Sequence, residues 1–218
     1  MESITLLLFA MLAAYFSGAL PTAVIVARRV KGINILEHGS GNPGASNVYR
    51  ILGPQWATAT LLIDVFKGYF PVWLIERVAS SLTNPYFAQN EIAVMGWIAL
   101  AAFAGHVFSP FLKFKGGKGA ATGLGAMFAL APQATTLALL VYGGALYLWK
   151  RFSAGTLAAA IVFPVLLYFR EGHMDPQSLV WGMTVPFLLA LTHRRNIMRI
   201  LRREELPMHV ADGSNEDG

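Results

Sequence analysis

ITLLLFAMLAAYFSGALPTAVIVA, residues 4–27, is an apolar run of 24 residues without one Asp, Glu, Lys or Arg. As a helix it would extend about 36 Å, more than the ~30 Å hydrocarbon layer of a bilayer. It is also too long for the apolar part of a secretory signal, and only Met1-Glu2-Ser3 precede it, with no basic group. It therefore predicts a retained membrane-spanning helix. The rest of the chain agrees. Of 218 residues, 55% are hydrophobic and 13% charged, against about 25% charged in an average soluble domain. So few polar side chains cannot cover a water-soluble globule of this size. With no cysteine, disulfides, thiol catalysis and thiolate metal sites are excluded.

Seven apolar segments follow one another: Ile4–Ala27, Trp56–Ala79, Glu91–Leu112, Gly119–Ala131, Gln133–Trp149, Ala154–Phe169 and Ser178–Thr192. The fourth is short for a crossing, and Pro132 predicts a tight turn between it and the fifth. Trp56, Trp73, Trp97, Trp149 and Trp181 lie mostly near segment ends, as interfacial anchors do. With seven spans, one side of the membrane collects Arg28, Arg29, Lys31 and Arg50, then the Lys113–Lys118 cluster. It also takes Lys150, Arg151 and the arginines from Arg194 to Arg203. That makes fourteen cations, against Arg77 and Arg170 on the other side. The positive-inside rule then puts the N-terminus outside and the C-terminus in the cytoplasm. The expected architecture is all-α: a polytopic membrane helix bundle of seven transmembrane helices in one domain, residues 1–207. A short polar tail, 208–218, is expected to be disordered. The net charge of +5 reads as topology and affinity for anionic headgroups, rather than nucleic-acid binding.

Three cytoplasmic segments carry residue types suited to phosphate. The first is SGNPGASNVYR, residues 40–50. Asn42-Pro43 predicts a helix start, with Asn42 as cap and Pro43 in the first helical position. Ser46 and Arg50 would share a face, and Gly53-Pro54 would end the helix. Arg50 is a forked cation that suits a phosphate. The second is KFKGGKGAATG, residues 113–123. It opens the fourth segment, where unpaired amides and the helix dipole favour an anion. Gly116, Gly117 and Gly119 would let the backbone approach it, and Lys118 adds a full charge. It is not a P-loop, because Leu112 stands at the first glycine position and Gly119 follows the lysine. The third is THRRNIMR, residues 192–199. His193 and Asn196 share a helix face; the arginines alone would read as ordinary stop signals.

Three further features are less specific. Asp64 and Lys67, three apart inside the second span, predict a buried ion pair or a polar cavity. His106 could be a satisfied buried histidine or a ligand. Ser153 could be the N-cap of the sixth span.

Together these motifs resemble the acyl-phosphate-dependent glycerol-3-phosphate acyltransferases of bacterial membranes, the PlsY family. The likeness rests on SGNPGASNVYRILG at 40–53, GHVFSPFLKFKGGKGAATGLG at 105–125, HRRNIMRILRREE at 193–205 and Asp64-x-x-Lys67-Gly68. It covers nearly the whole chain. It implies acyl transfer from acyl phosphate to the 1-hydroxyl of sn-glycerol 3-phosphate, giving 1-acyl-glycerol 3-phosphate and phosphate. This would occur at the cytoplasmic face of the bacterial inner membrane. The soluble partner implied is the enzyme that makes acyl phosphate from acyl-ACP. The family's functional positions fall on Ser40, Asn42, Asn47 and Arg50, on Gly116, Gly117, Lys118 and Gly119, and on Ser153, His193, Asn196 and Glu205. Ser46 stands where Thr is usual, Ala120 where Val is, and Arg203 where Gly is frequent. No metal or cofactor is implied.

The donor is already activated, so direct attack by the glycerol hydroxyl is expected, with Arg50, Lys118 and the glycine-turn amides holding phosphate. The base is either His193 or a substrate phosphate. The His-x4-Asp pair of the other glycerolipid acyltransferases is absent, since Pro43, Phe111, Ser178 and Met198 stand five residues after His38, His106, His173 and His193. The competing class is a phosphate or organophosphate transporter. It would need polar groups along both halves of a path, and here only Asp64 and Lys67 lie deep.

Overall fold

The computed structural model describes residues 2–81, 85–171 and 176–208. Of the expected tail, 208–218, all but Met208 lies outside them. All regular structure among the described residues is helical. The seven apolar segments appear as α1 (Glu2–Ala19), α4 (Pro54–Ser81), α6 (Glu91–Val107), α7 (Ala120–Leu130), α8 (Pro132–Trp149), α9 (Phe152–Glu171) and α10 (Pro176–Thr192). Shorter helices lie between and after them: α2 (Thr22–Lys31), α3 (Ala45–Leu52), α5 (Pro85–Gln89) and α11 (Arg194–Leu201). By length and composition, 4 stretches are long and apolar enough to cross a membrane: Ser3–Lys31, Pro54–Ala79, Glu91–Leu112 and Phe152–Phe169. Ala120–Leu130 and Val180–Thr192 are shorter apolar helices.

The outer surface is apolar at membrane depth. Phe9 is 72% exposed, Leu140 69%, Ile161 74% and Phe169 75%. A soluble protein does not present such a belt to water, and a bilayer accepts it. The buried core lies between the helices, around Val72, Ile98, Phe103 and Phe163.

The first apolar run is not one straight helix. Pro21 has no N–H to donate, so α1 stops at Ala19 and α2 starts at Thr22. The freed carbonyls are satisfied from neighbouring elements. Lys67 Nζ donates to the Leu20 carbonyl at 2.8 Å, and Ser109 Oγ donates to that of Ala19 at 2.6 Å. Lys67 also pairs with Asp64 Oδ1 at 2.7 Å. The ion pair expected in the second span is therefore real, and it also caps a broken helix, which satisfies backbone that lipid could not.

Two close approaches set where the site can form. α1 packs along α6, and α4 along α7. A Cβ on Gly68 would stand 2.0 Å from the Thr122 carbonyl oxygen, and one on Gly125 1.9 Å from that of Val65. Only glycine lets α4 and α7 touch backbone to backbone, which sinks the start of α7 beside the Asp64–Lys67 level of α4. α8 packs much more along α9 than along α7, and a cleft opens between α7 and that pair.

Candidate active site

The cleft is a cavity of about 440 Å³ with two unlike halves. Its mouth carries Asn42, Ser46, Arg50, Lys118, Ser153, His193 and Glu205. Its body is apolar, including Leu61, Leu124, Ala138, Ala160 and Leu189.

Arg50 reaches the mouth from the last turn of α3. The helix starts later than expected, at Ala45, with Gly44 rather than Asn42 at its N-cap. Asn42-Pro43-Gly44 instead forms a tight turn closed by the Gly44 amide on the Asn42 carbonyl at 2.9 Å. That turn leaves Asn42 at the cavity wall. Gly53 ends the helix, as expected, and the next opens at Pro54, two residues before the apolar segment expected from Trp56. Arg50 donates to the carbonyls of Pro207 (3.0 Å) and Leu206 (3.4 Å), and to that of Ser46 at 3.3 Å. Burial draws its pKa down and the Glu205 carboxylate opposes this; a guanidinium so placed stays charged.

Ser40 and Asn47 play a different part from the one their motif suggests. Asn47 is fully buried and outside the cavity lining. It accepts the Ser40 amide at 2.9 Å and donates to the carbonyls of Ile35 (3.2 Å) and His38 (3.0 Å). It ties the 35–40 loop to α3. Its polar atoms are engaged before any substrate arrives, and Ser40 does not line the cavity either.

The glycine turn is also divided. The Gly116 amide donates to the Val107 carbonyl at 2.9 Å, and that of Gly117 to the His106 carbonyl at 3.1 Å. These amides cap the end of α6 and are not free for an anion. A Cβ on Gly117 would stand 2.3 Å from His106 Nε2, so glycine is required there by the histidine beneath it. His106 in turn meets Thr122 Oγ1 at 3.0 Å through Nδ1 and lies at the cavity wall. The start of α7 does line the cavity, with Gly119 at φ 78° as the N-cap and Ala120 and Ala121 following. This is where a helix has its unpaired donors and positive dipole end.

Lys118 stands beside them. Its Nζ donates to Asn196 Oδ1 at 2.5 Å, and Thr192 Oγ1 holds its carbonyl at 2.9 Å. Burial lowers its pKa to about 8, Glu205 raising and Arg199 and Arg50 lowering it in smaller measure. Asn196 bridges onward, giving Nδ2 to Glu205 Oε1 at 2.6 Å. The same oxygen accepts Ser153 Oγ at 2.6 Å, and Oε2 accepts Arg199 Nε at 3.0 Å. Ser153 is thus not the cap expected for α9, which begins at Phe152. Its hydroxyl holds Glu205.

Glu205 reaches this point through a reversed turn after α11. The Glu204 amide donates to the Arg199 carbonyl at 2.7 Å and the Arg203 amide to that of Ile200 at 3.0 Å. This is a Schellman cap, with Arg203 in its left-handed position at φ 61°. Glycine takes such a left-handed position without a Cβ penalty. Arg199, read as a stop signal, is the residue sequence reasoning missed. Its ion pair with Glu205 depends on that turn, which no local spacing announces.

His193 caps α11 and is 4% exposed. Nδ1 lies 2.9 Å from the Leu189 carbonyl. A carbonyl only accepts, so Nδ1 carries the proton and Nε2 is left as an acceptor. Burial, then the charge of Lys118, lower its pKa to about 4.

The same motif order and helix arrangement recur elsewhere. A family model described as glycerol-3-phosphate acyltransferase matches residues 8–203. The chain belongs to the glycerol-3-phosphate acyltransferase family. The family member of Syntrophotalea carbinolica is 40% identical over 89% of this chain and 94% of its own. That of Trichlorobacter lovleyi is 38% identical over 91% and 95%. Among solved structures, the glycerol 3-phosphate form of PlsY, an integral membrane glycerol 3-phosphate acyltransferase, superposes with a TM-score of 0.80 at 29% identity, covering 92% of this chain and 94% of that one. Its lysophosphatidic acid form gives 0.77 at 28% identity, with the same coverage.

Proposed function

We propose that this chain transfers an acyl group from acyl phosphate to the 1-hydroxyl of sn-glycerol 3-phosphate. The products are 1-acyl-sn-glycerol 3-phosphate and inorganic phosphate. The observation that carries this reading is one cavity whose cationic mouth, with Arg50, Lys118 and the α7 amides, continues into an apolar cleft. An acyl phosphate has the same two halves. The relatives and solved structures named as glycerol 3-phosphate acyltransferases supply the acceptor. The protein sits in the bacterial cytoplasmic membrane as seven spans, N-terminus outside, with the mouth toward the cytoplasm. Its donor comes from a soluble enzyme acting on acyl-ACP.

In the proposed reaction the glycerol oxygen bonds to the acyl carbon, the carbon–oxygen bond to phosphate breaks, and the electron pair leaves on phosphate. Lys118 and the α7 amides hold the donor phosphate and stabilise the departing charge. Arg50 exchanges its carbonyl partners on residues 206 and 207 for phosphate oxygens. His193, with Nε2 as acceptor, orients the hydroxyl. At a pKa of about 4 it is a weak base near neutrality. A substrate phosphate with a second pKa of about 6 takes the proton more readily. Ser153 is committed to Glu205, so no acyl-enzyme is invoked.

The test is the purified protein in detergent with palmitoyl phosphate and glycerol 3-phosphate. Lysophosphatidate is expected, with a loss of at least 100-fold in folded Arg50→Ala and Lys118→Ala variants. A trapped acyl-enzyme would overturn direct attack. Equal turnover of acyl-CoA would overturn the donor. No product, with glycerol phosphate flux into sealed liposomes, would favour transport instead.

A further inference from the structure

The apolar half of the cavity ends at one buried side chain on each of four helices. Descending from the mouth, the last residue lining the cavity is Met127 on α7 and Phe163 on α9. On the two helices that run the opposite way, the first is Thr135 on α8 and Val185 on α10. All four are buried, between 1% and 6% exposed. Thr135 also joins two of the helices. Its hydroxyl donates to the Met127 carbonyl at 2.9 Å and the Ala131 carbonyl at 2.7 Å. The polar atom is spent on backbone, and what remains of the side chain is its methyl group. Nearer the mouth the walls mix small residues, Ala138 on α8 and Ala159 and Ala160 on α9, with Leu124, Leu139 and Leu189. An apolar cleft that ends on buried side chains fits an alkyl chain of limited length.

We propose that Met127, Thr135 and Phe163, with Val185 a turn nearer the mouth beside Gly123, form the floor of a ruler that sets the acyl length this enzyme accepts. The proposal rests on the acyltransfer reading above and names the donor within that class. From Ser153 to Phe163 along α9 the depth is about 15 Å, at 1.5 Å per residue. An extended chain fills that depth with about twelve methylenes below the reacting carbonyl, so saturated donors of about fourteen carbons fit best. Longer tails must push into packed side chains, and shorter ones leave apolar wall uncovered.

The experiment uses the full chain in detergent and a series of saturated acyl phosphates from 8 to 18 carbons, with phosphate release as readout. Two variants raise the floor by about one turn, Ala160→Phe and Ala138→Leu. One lowers it, Phe163→Ala. Folding is checked by a monodisperse elution profile. The optimum in the unmodified protein is expected near fourteen carbons. The ratio of kcat/KM for the 16-carbon donor to that for the 10-carbon donor is expected to fall at least tenfold in a raised-floor variant and to rise in Phe163→Ala. An unchanged ratio in all folded variants, or a flat length profile in the unmodified protein, would overturn the ruler. Failure to turn over any acyl phosphate would instead overturn the acyltransfer reading.

Discussion

Replacing Glu205 by Gln removes one charge and leaves the shape. Two of its donors, Ser153 Oγ and Asn196 Nδ2, share Oε1, and a glutamine carbonyl placed there still accepts both. The amide nitrogen then takes the place of Oε2 and points hydrogens at Arg199 Nε, formerly 3.0 Å away. Arg199, 34% exposed, can turn into water. The cost to folding is about 2–3 kcal/mol, the loss of charge assistance on bonds to an ionised group. The protein should therefore still fold. The effect on function runs through Lys118. Burial sets its pKa near 8, and Glu205 is the first group raising it. Without that carboxylate the ammonium loses its proton at lower pH. Since kcat/KM reports the free enzyme, the unmodified protein should lose activity above pH 8, about tenfold per pH unit. In Glu205→Gln this basic limb should move to lower pH. At pH 8 the variant should be several-fold less active than its value near pH 6.5 predicts. The assay is phosphate release at subsaturating acyl phosphate from pH 5.5 to 9.5. Lys118→Arg serves as control, because an arginine carries no limb in this range. A basic limb that stays put in Glu205→Gln, or persists unchanged in an active Lys118→Arg, would refute the reasoning.

Arg203→Gly should raise stability by about 1 kcal/mol by removing left-handed strain in an exposed residue, read as a higher thermal midpoint in detergent with activity kept. Gly68→Ala should destabilise by about 1–3 kcal/mol and cut turnover, since its methyl would meet the Thr122 carbonyl and push the start of α7 off α4; thermal unfolding and kcat measure both. His193→Gln should cost about tenfold or less if the imidazole only accepts a hydrogen bond, against the hundredfold or more of a lost general base. Its acidic pH limb should stay with the substrate phosphate, and a limb that vanishes with His193 would restore the histidine as base.

Part of the candidate site was legible before its geometry. Arg50 and Lys118 stood out because a forked cation among small polar residues, and a lysine at a glycine-rich helix start, have few roles between apolar spans. Their partners were harder to read. The Gly116 and Gly117 amides looked free for phosphate, yet they cap α6, because the turn folds back on the His106 and Val107 carbonyls. Asn47 looked like a ligand and is a loop tie, since nothing in its spacing says that the Ile35 and His38 carbonyls lie against it.

The sequence by itself determined the class of the molecule: apolar runs of spanning length, cations gathered between them, and three motifs that fix the family. These are properties of composition and periodicity, carried by each segment alone. Tertiary structure decided which donors remain available. An amide or carboxylate acts on a substrate only if no nearer partner has taken it, and those partners lie far along the chain, 52 residues for Ser153 and Glu205 and 78 for Lys118 and Asn196. The same holds for the cavity floor. Met127, Thr135 and Phe163 are ordinary core residues until the packing of three helices closes one cavity with them.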